Sequence, residues 1–248
     1  SGIRLGLSTG AASAHLGTVS AWRFITPPYS WPRGIVVNAR GERFCNEQVY
    51  GATLGHAIVE EQGGKAWLIF DAALRRRALK ECLFGRLWAF QALPAMALML
   101  FGARKAGSLE GLAAAIGADP AALRRSVERY NAAARGEGAD ELGKSADMCQ
   151  ALGPAPYFAL DLSIGSALLP LATITLGGLR VNEADGHVLD DEGRDIPGLY
   201  AAGRTAVGIP SARYISGLSL ADCVFSGRRA GAAAASAEPP AMPPVTGM

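Results

Sequence analysis

Residues 196–236 read IPGLYAAGRTAVGIPSARYISGLSLADCVFSGRRAGAAAAS, and the order of residue types in this stretch decides the fold class. The apolar run 196–202 predicts a buried strand that stops at Gly203. Residues 204–217 predict a loop, and the small residues 218–236 predict a helix. A strand, a loop and a helix in this order are typical of α/β folds.

The start of the predicted helix is the first candidate site. A helix N-terminus exposes unbonded backbone N–H groups and a partial positive charge, which suits a phosphate or a cofactor oxygen that gains negative charge. Gly217 and the small Ser216 and Ser219 would let a ligand approach the backbone closely. A plain strand–helix unit without a ligand explains the same pattern equally well.

Composition excludes several classes of protein. The 248 residues are 50% hydrophobic, and 24 Lys and Arg against 22 Asp and Glu give a net charge of +2. This is enough apolar material for a sizeable core, and the near-neutral charge argues against a nucleic-acid partner. The cysteines lie far apart, without a C-x-x-C motif, and the histidines are isolated, so we predict no metal site. Such cysteines are typical of buried free thiols in a reducing compartment, which predicts a cytoplasmic protein.

The most apolar stretch, 84–101, reads FGRLWAFQALPAMALMLF. Pro94 interrupts it, and its uninterrupted apolar part is too short to span a bilayer. A core helix is the favoured interpretation. The lining of a large apolar ligand pocket and a patch that rests on a membrane surface are the alternatives.

Other local signals predict the remaining elements. The turn 38–41 predicts a hairpin over 34–47, and 65–71 reads as a buried strand. Ser108 and Asp119 are helix-capping residues that predict two consecutive helices. Further hairpin or strand signals lie in 173–179, 181–189 and 191–193, and a proline-rich tail over 237–248 predicts disorder.

Four segments, taken in order, resemble one family. They are GIVVNARGERFCNE (34–47), LAAAIGADPAALRRSVERYNAAARGEGAD (112–140), TLGGLRVNEADGHVLDDEGRDIPGLYAAGR (175–204) and SARYISGLSLADCVFSGRRAG (211–231). Together they are similar to the C-terminal half of the fumarate reductase/succinate dehydrogenase-like FAD flavoproteins. The resemblance covers nearly the whole chain.

This resemblance implies an α+β and α/β architecture in which a cap (substrate) domain is inserted into an incomplete FAD-binding Rossmann-like domain. We expect four segments in this architecture. They are a residual FAD-domain segment over 1–19, the cap over 20–172, the C-terminal part of the FAD-binding domain over 173–236 and the disordered tail over 237–248. Arg43 and Glu47 recur in the family hairpin, where we expect a structural paired contact between the two domains.

Two positions depart from the dicarboxylate-reducing members of the family. Arg204 stands where an acidic residue is usual, and Tyr214 stands where an arginine would grip the dicarboxylate. The Tyr-x-Ser-Gly arrangement instead resembles FAD-dependent 3-ketosteroid dehydrogenases, especially the 4-dehydrogenase (5α) type. The implied substrate is a small, apolar, steroid-like molecule.

The resemblance also implies roles for individual residues. Tyr214 would act as the base or the carbonyl partner beside the steroid ketone, while a hydride leaves the neighbouring carbon for N5 of FAD. A tyrosine ordinarily keeps its proton at neutral pH, and the positive end of the helix at 218 favours its anion. Ser216 would relay the proton. Tyr50 is the candidate for a second pocket tyrosine, with Tyr29 and Tyr157 as competitors.

The implied flavin contacts are Gly203, Arg204, Gly217, Leu218, Ser219 and Leu220, with backbone N–H groups of 217–220 facing the pyrimidine oxygen. A G-x-G-x-x-G loop after a strand, which the family uses for the adenosine half of FAD, does not occur in the sequence. We therefore expect an upstream FAD-binding segment of the same protein. Another fumarate-reductase-like oxidoreductase and a truncated, non-catalytic apolar-ligand-binding remnant are the alternatives.

Overall fold

The computed structural model describes residues 2–211 and 214–237. The predicted disordered tail, apart from Ala237, lies outside the described residues. The helices are α1 (Gly2–Ser8), α2 (Gly51–His56), α3 (Ala72–Phe84), α4 (Ala89–Ala97), α5 (Leu109–Ile116), α6 (Pro120–Ala134) and α7 (Leu218–Ser236). The strands are β1 (Ser13–Ala14), β2 (Val19–Trp22), β3 (Ile35–Asn38), β4 (Ala66–Asp71), β5 (Arg104–Ala106), β6 (Tyr157–Asp161), β7 (Ala172–Thr175), β8 (Gly178–Leu179), β9 (His187–Leu189) and β10 (Asp195–Tyr200).

The chain divides into two compact units. Unit 1 comprises Ser1–Ser20 and Thr173–Met248, and unit 2 comprises Ala21–Ala172. Each unit has its own hydrophobic core, because the buried side chains form separate clusters. We describe each unit by itself.

Unit 2 is built on a four-stranded antiparallel sheet in the order β3-β4-β6-β5. On one face of the sheet, Leu68 and Phe70 pack against the helices α3 and α4. On the other face, Ile35 and Ile69 pack against the helices α5 and α6. A strand buried on both faces is a continuous apolar run, and this pattern predicts β4 from residues 65–71. Strand β6 is not among the predicted elements.

Local signals in unit 2 are confirmed. Ser108 Oγ accepts a hydrogen bond from the Gly111 N–H, and Asp119 Oδ1 accepts one from the Ala121 N–H, so both caps form. Gly41 has a φ of +87° and its N–H binds the Asn38 carbonyl, which confirms the predicted turn. The second arm of that hairpin makes only a bridge between Arg43 and Val37 rather than a strand.

A buried ion network corrects one expectation. Arg43 pairs with Glu47 and with Asp140, and Lys144 Nζ lies 3.0 Å from Glu47 Oε2. All four side chains are almost fully buried, and every partner that the structure gives Arg43 and Glu47 belongs to unit 2. The pair therefore stabilises one unit and is not the expected contact between two domains.

Unit 1 holds short antiparallel strand pairs, β1 with β8 and β9 with β10. The predicted turn at Asp185-Gly186 forms, with a φ of +84° at Gly186. The strand predicted over 196–202 is present as β10, but the prediction that it is buried is wrong. Its residues are exposed or half-buried, and within the described part of the chain it pairs with β9.

The apolar stretch 84–101 is a core helix on one side only. Ala92, Ala95 and Met99 are buried against the core of unit 2. On the opposite side, Phe90 and Leu93 are exposed to solvent. The predicted core helix is therefore present on the side of α4 that faces the core of unit 2, and its other side is exposed.

Candidate active site

The turn that follows β10 is tied to α7 by one hydrogen bond. The Gly203 N–H donates to Ser226 Oγ at 2.9 Å, and the Ser226 hydroxyl donates to the Asp222 carbonyl one turn earlier in α7. Ser226 is buried, so its hydroxyl, rather than water, is the acceptor for the Gly203 N–H. This fixes the end of the strand against the helix.

Gly203 is required by geometry at this position. Its φ is +59°, in the left-handed region that favours glycine. A Cβ added there would lie 2.9 Å from Cys223 Sγ, which is closer than side chains tolerate. The close packing of the turn on α7 therefore needs a residue without a side chain.

The N-terminus of α7 presents polar donors. Gly217, which precedes the helix, has a φ of +84° and has open space where a Cβ would stand. Within the described residues, neither the Ser219 N–H nor the buried Ser219 Oγ has a hydrogen-bond partner. By contrast, the Leu218 N–H donates to the Ile215 carbonyl at 3.1 Å. Ser219 is thus the residue in this turn with two donors available to a ligand.

Tyr214 and Ser216 lie directly before this helix. Tyr214 is half-buried and Ser216 is exposed. The two residues before Tyr214 lie outside the described part of the chain. Unit 1 contains the Tyr-x-Ser pair and the candidate cofactor residues at 203–204 and 217–220, whose roles stay predictions.

The three candidate pocket tyrosines all belong to unit 2. Tyr50 directly precedes α2 and contacts Trp22 edge-on, with ring centroids 5.4 Å apart. Tyr29 is largely exposed, and Tyr157 begins β6. Tyr50 thus has an aromatic neighbour and a fixed place at the start of a helix.

Arg204 is held by its own unit. Its guanidinium donates a hydrogen bond to the backbone carbonyl of Thr175. That contact holds the side chain against β7 at its last residue. The arginine thus has a structural partner at the position where the resemblance implies a cofactor contact.

Sequence reasoning missed Asp222, which is 4% exposed in α7. A Cβ added to Gly208 would lie 2.5 Å from Asp222 Oδ2, so the carboxylate packs directly on the loop backbone. The signal was present, because an aspartate in a helix of small and apolar residues is uncommon unless it is partnered. Asp222 thus packs against the backbone at Gly208.

A surface hairpin of unit 1 also gathers Asp185, His187 and Asp195, whose potential ligand atoms lie within 4.8 Å of one another. His187 Nδ1 lies 2.9 Å from Asp185 Oδ2, and its ring contacts Tyr200. The sequence did not predict this group. The contact between His187 Nδ1 and the Asp185 carboxylate and the contact between the two rings account for the geometry of this group.

Residues 15–220 match the FAD binding domain family, and the chain belongs to that family. It is 56% identical over 203 residues to a 3-oxo-5-alpha-steroid 4-dehydrogenase of Comamonas testosteroni, over 82% of this chain and 38% of that protein. It is 30% identical to a fumarate reductase (cytochrome) of Shewanella frigidimarina, over 81% of this chain and 32% of that protein.

The fold has a solved counterpart in the crystal structure of a 3-ketosteroid-delta4-(5alpha)-dehydrogenase from Rhodococcus jostii RHA1 in complex with 4-androstene-3,17-dione. The TM-score is 0.74 and the identity 33%, over 95% of this chain and 45% of that chain. This chain spans less than half the length of these relatives. The expected resemblance to fumarate-reductase-like flavoproteins and ketosteroid dehydrogenases is confirmed.

Family membership implies FAD as the cofactor. The residues present fit such a group at the start of α7. Gly217 leaves the approach to the helix open, and Ser219 offers an N–H and a hydroxyl that nothing in the described chain binds. These donors and the positive end of the helix suit the carbonyl oxygens of a flavin. The Gly203 N–H is not available to the cofactor, because it is already bound to Ser226. Gly203 instead lets the turn pack closely on α7.

Proposed function

We propose that the protein catalyses FAD-dependent desaturation of a 3-ketosteroid, of the 4-dehydrogenase (5α) type. The observation that carries this proposal is the 56% identity to the Comamonas 3-oxo-5-alpha-steroid 4-dehydrogenase. The position of Tyr214 and Ser216 at the N-terminus of α7 supports it, beside the donors of Ser219.

The two compact units support a division of labour. Unit 2 would be the cap that covers the substrate, inserted into an FAD-binding domain to which unit 1 contributes. The chain has no G-x-G-x-x-G loop after a strand. We infer that an upstream segment of the same protein supplies the adenosine side of the FAD site.

Tyr214 is the proposed proton acceptor beside the steroid ketone. A C–H next to a polarised carbonyl is acidic enough for a positioned base to remove its proton. Tyr214 stands four residues before the first residue of α7. FAD, when bound, supplies the acceptor for the hydride that leaves the neighbouring carbon.

Ser216 is the proposed proton relay. It lies two residues after Tyr214 and is exposed, so its hydroxyl can exchange a proton with water. A relay that ends in solvent would return Tyr214 to its basic state after each turnover. Tyr50 is proposed as the second tyrosine, which would hold the ketone oxygen by a hydrogen bond.

The same residues disfavour a dicarboxylate. Tyr214 offers one phenol where a dicarboxylate clamp needs a cation, and the guanidinium of Arg204 is bound to Thr175. The four cysteines are free in the structure, in keeping with a reducing, cytoplasmic environment. A small apolar steroid is therefore the proposed substrate.

The test begins with the absorbance spectrum of the purified protein reconstituted with FAD. We expect a flavin band near 450 nm that is bleached anaerobically by a 5α-3-ketosteroid and not by succinate. Bleaching by succinate alone would assign the chain to the dicarboxylate-oxidising relatives. Because an upstream segment is inferred to complete the FAD site, the spectrum is recorded on the protein that includes this segment. Failure of that protein to bind FAD would favour the non-catalytic remnant.

Variants separate the proposed roles. Tyr214→Phe should slow bleaching by about 100-fold or more and leave FAD binding unchanged, because general-base catalysis contributes roughly that much. Tyr200→Phe is the matched control, since that tyrosine belongs to β10 of unit 1, packs on His187 and has no proposed catalytic role. Near-full turnover in Tyr214→Phe would contradict the role of Tyr214 as the proton acceptor. Ser216→Ala should reduce the rate less and be partly rescued by small proton carriers.

A further inference from the structure

Residues 72–106 concentrate the positive charge of the chain. This segment holds seven Lys and Arg against one Glu, a net charge of +6, although the whole chain carries only +2. The remaining residues therefore carry 17 basic against 21 acidic groups, a net charge of −4. The sign asymmetry points to a partner surface that is negatively charged.

The same segment exposes large aromatic side chains. Phe84, Trp88, Phe90 and Phe101 are 84%, 72%, 72% and 85% exposed. No charged residue occurs from 87 to 103, a run of 17 residues. Phe84 ends α3, Trp88 directly precedes α4, Phe90 lies in α4 and Phe101 follows it. Single exposed apolar side chains are ordinary, but several that are close together in the sequence mark a candidate interaction surface.

Helix α4 cannot hide these side chains by turning. Its other side, with Ala92 and Ala95, already packs into the core of unit 2. Phe90 and Leu93, three residues apart on the exposed side, have no place in that core. We call this exposed side, together with Phe84, Trp88 and Phe101, the aromatic face.

Cations border the aromatic face at both ends. Phe84 lines a groove together with Arg76, Arg77 and Lys80 of α3 and with one carboxylate, Glu81, which pairs with Arg77. At the other end, Phe101 lines a second groove that holds one cation, Arg104, and one carboxylate, Asp161. Lysines and arginines that flank exposed Trp and Phe are the pattern of segments that lie in the headgroup region of a bilayer.

We propose that the aromatic face docks unit 2 on a membrane surface that contains anionic phospholipid. The aromatic side chains enter the boundary between headgroups and acyl chains, and the cations of α3 and Arg104 bind the lipid phosphates. The nine residues of α4 rise about 14 Å, roughly half of the hydrocarbon thickness, so this helix lies in the interface. Among the described residues, no helix is both long and apolar enough to cross a membrane.

Charge favours a lipid surface over a second copy of this chain. If two copies met through this same segment, two segments of charge +6 would face each other and repel. An anionic bilayer satisfies the apolar and the cationic groups at once. The proposal goes beyond the proposed function and stands on the surface of unit 2 alone.

The test is flotation of the purified protein with vesicles of phosphatidylcholine alone and with about 30% phosphatidylglycerol. We expect the protein to float with the anionic vesicles and to be released by high salt, because screening weakens the phosphate contacts. Brominated lipid should quench the fluorescence of Trp88 more than that of the other tryptophans, because those are more buried. Trp88→Phe should abolish that quenching and retain most of the binding.

Two variants with matched controls localise the contact. Arg76→Glu with Lys80→Glu should weaken binding by about tenfold or more, whereas Arg125→Glu with Arg129→Glu, equally spaced and exposed on α6, should not. Phe90→Ser with Phe101→Ser should weaken it similarly, unlike Leu5→Ser with Leu16→Ser, which are exposed in unit 1.

Other outcomes overturn the proposal. Absence of flotation, or equal losses in the control pairs, would show that the aromatic face is not a membrane contact. A dimer in sedimentation velocity that Phe90→Ser with Phe101→Ser dissociates would assign the face to a second copy. Circular dichroism and melting temperatures matched to the parent protein show that each variant is folded.

Discussion

The Gly203 N–H donates to the Ser226 hydroxyl, and this bond joins the turn after β10 to the body of α7. Twenty-three residues separate the two partners. The bond holds the turn after β10 against the middle of α7, in the unit where the cofactor residues are proposed. Its loss should therefore be visible in both stability and cofactor binding.

Ser226→Ala should lower the free energy of unfolding by about 1–3 kcal/mol, because it leaves the buried Gly203 N–H without an acceptor. Ser236→Ala is the matched control, since its hydroxyl also binds the carbonyl four residues earlier but is exposed. Urea unfolding measures both. Equal, small effects would mean that water replaces the lost acceptor.

Gly203→Ala should destabilise the protein more than Gly193→Ala. Both glycines have positive φ, at +59° and +80°, but only the Cβ at 203 meets another residue, Cys223 Sγ at 2.9 Å. Strain alone costs about 1–3 kcal/mol. Adding Cys223→Ala should recover part of the excess. No recovery in the double variant would contradict the packing argument.

Ser219→Ala should weaken FAD binding about five- to tenfold, the loss expected for one hydrogen bond. Its hydroxyl has no partner within the described residues, so the stability of the FAD-free protein should not fall. Fluorescence titration of FAD and thermal melting measure the two quantities. Unchanged affinity would remove Ser219 from the cofactor site.

The stability of unit 2 should fall on acidification through Asp140. Burial raises the pKa of this carboxyl, but hydrogen bonds from Arg43 and from the backbone of Lys144 outweigh it, and the pKa lies below its usual range. The unfolded chain therefore takes up the proton first. The stabilisation is complete above about pH 4 and is lost as the pH falls towards the lowered pKa.

Asp140→Asn should cost about 2–4 kcal/mol at pH 7, because it leaves Arg43 partly uncompensated in a buried place. The same variant should unfold with a weaker dependence on pH below 5. Glu137→Gln, which breaks an exposed pair with Arg135, should have no measurable effect. Urea midpoints across the acid range test this, and an unaltered slope in Asp140→Asn would refute it.

Local features of the fold were predictable because neighbouring residues create them. Asp119 followed by Pro120 starts α6, and Gly117 ends α5 in the left-handed conformation with a φ of +73°. These signals act within one helical turn, so they can be read without knowing the rest of the chain. The same holds for the turn at Gly41.

Long-range features were not predictable in this way. Strand β6 pairs with both β4 and β5, and no turn or cap signal of its own marks it in the sequence. The burial of one side of α4 likewise depends on which side meets the sheet. Residues of similar hydropathy, such as Ala92 and Phe90, therefore have opposite exposures.

The sequence by itself determined the family, the strand–loop–helix unit that ends the chain, and the Tyr214 and Ser216 candidates, because these depend on contiguous motifs. Only the tertiary structure decided that Arg43 is neutralised by Asp140 within unit 2 and that Gly203 is bound to Ser226. Such pairings join residues 97 and 23 positions apart. They follow from how buried surfaces pack, which no local pattern specifies.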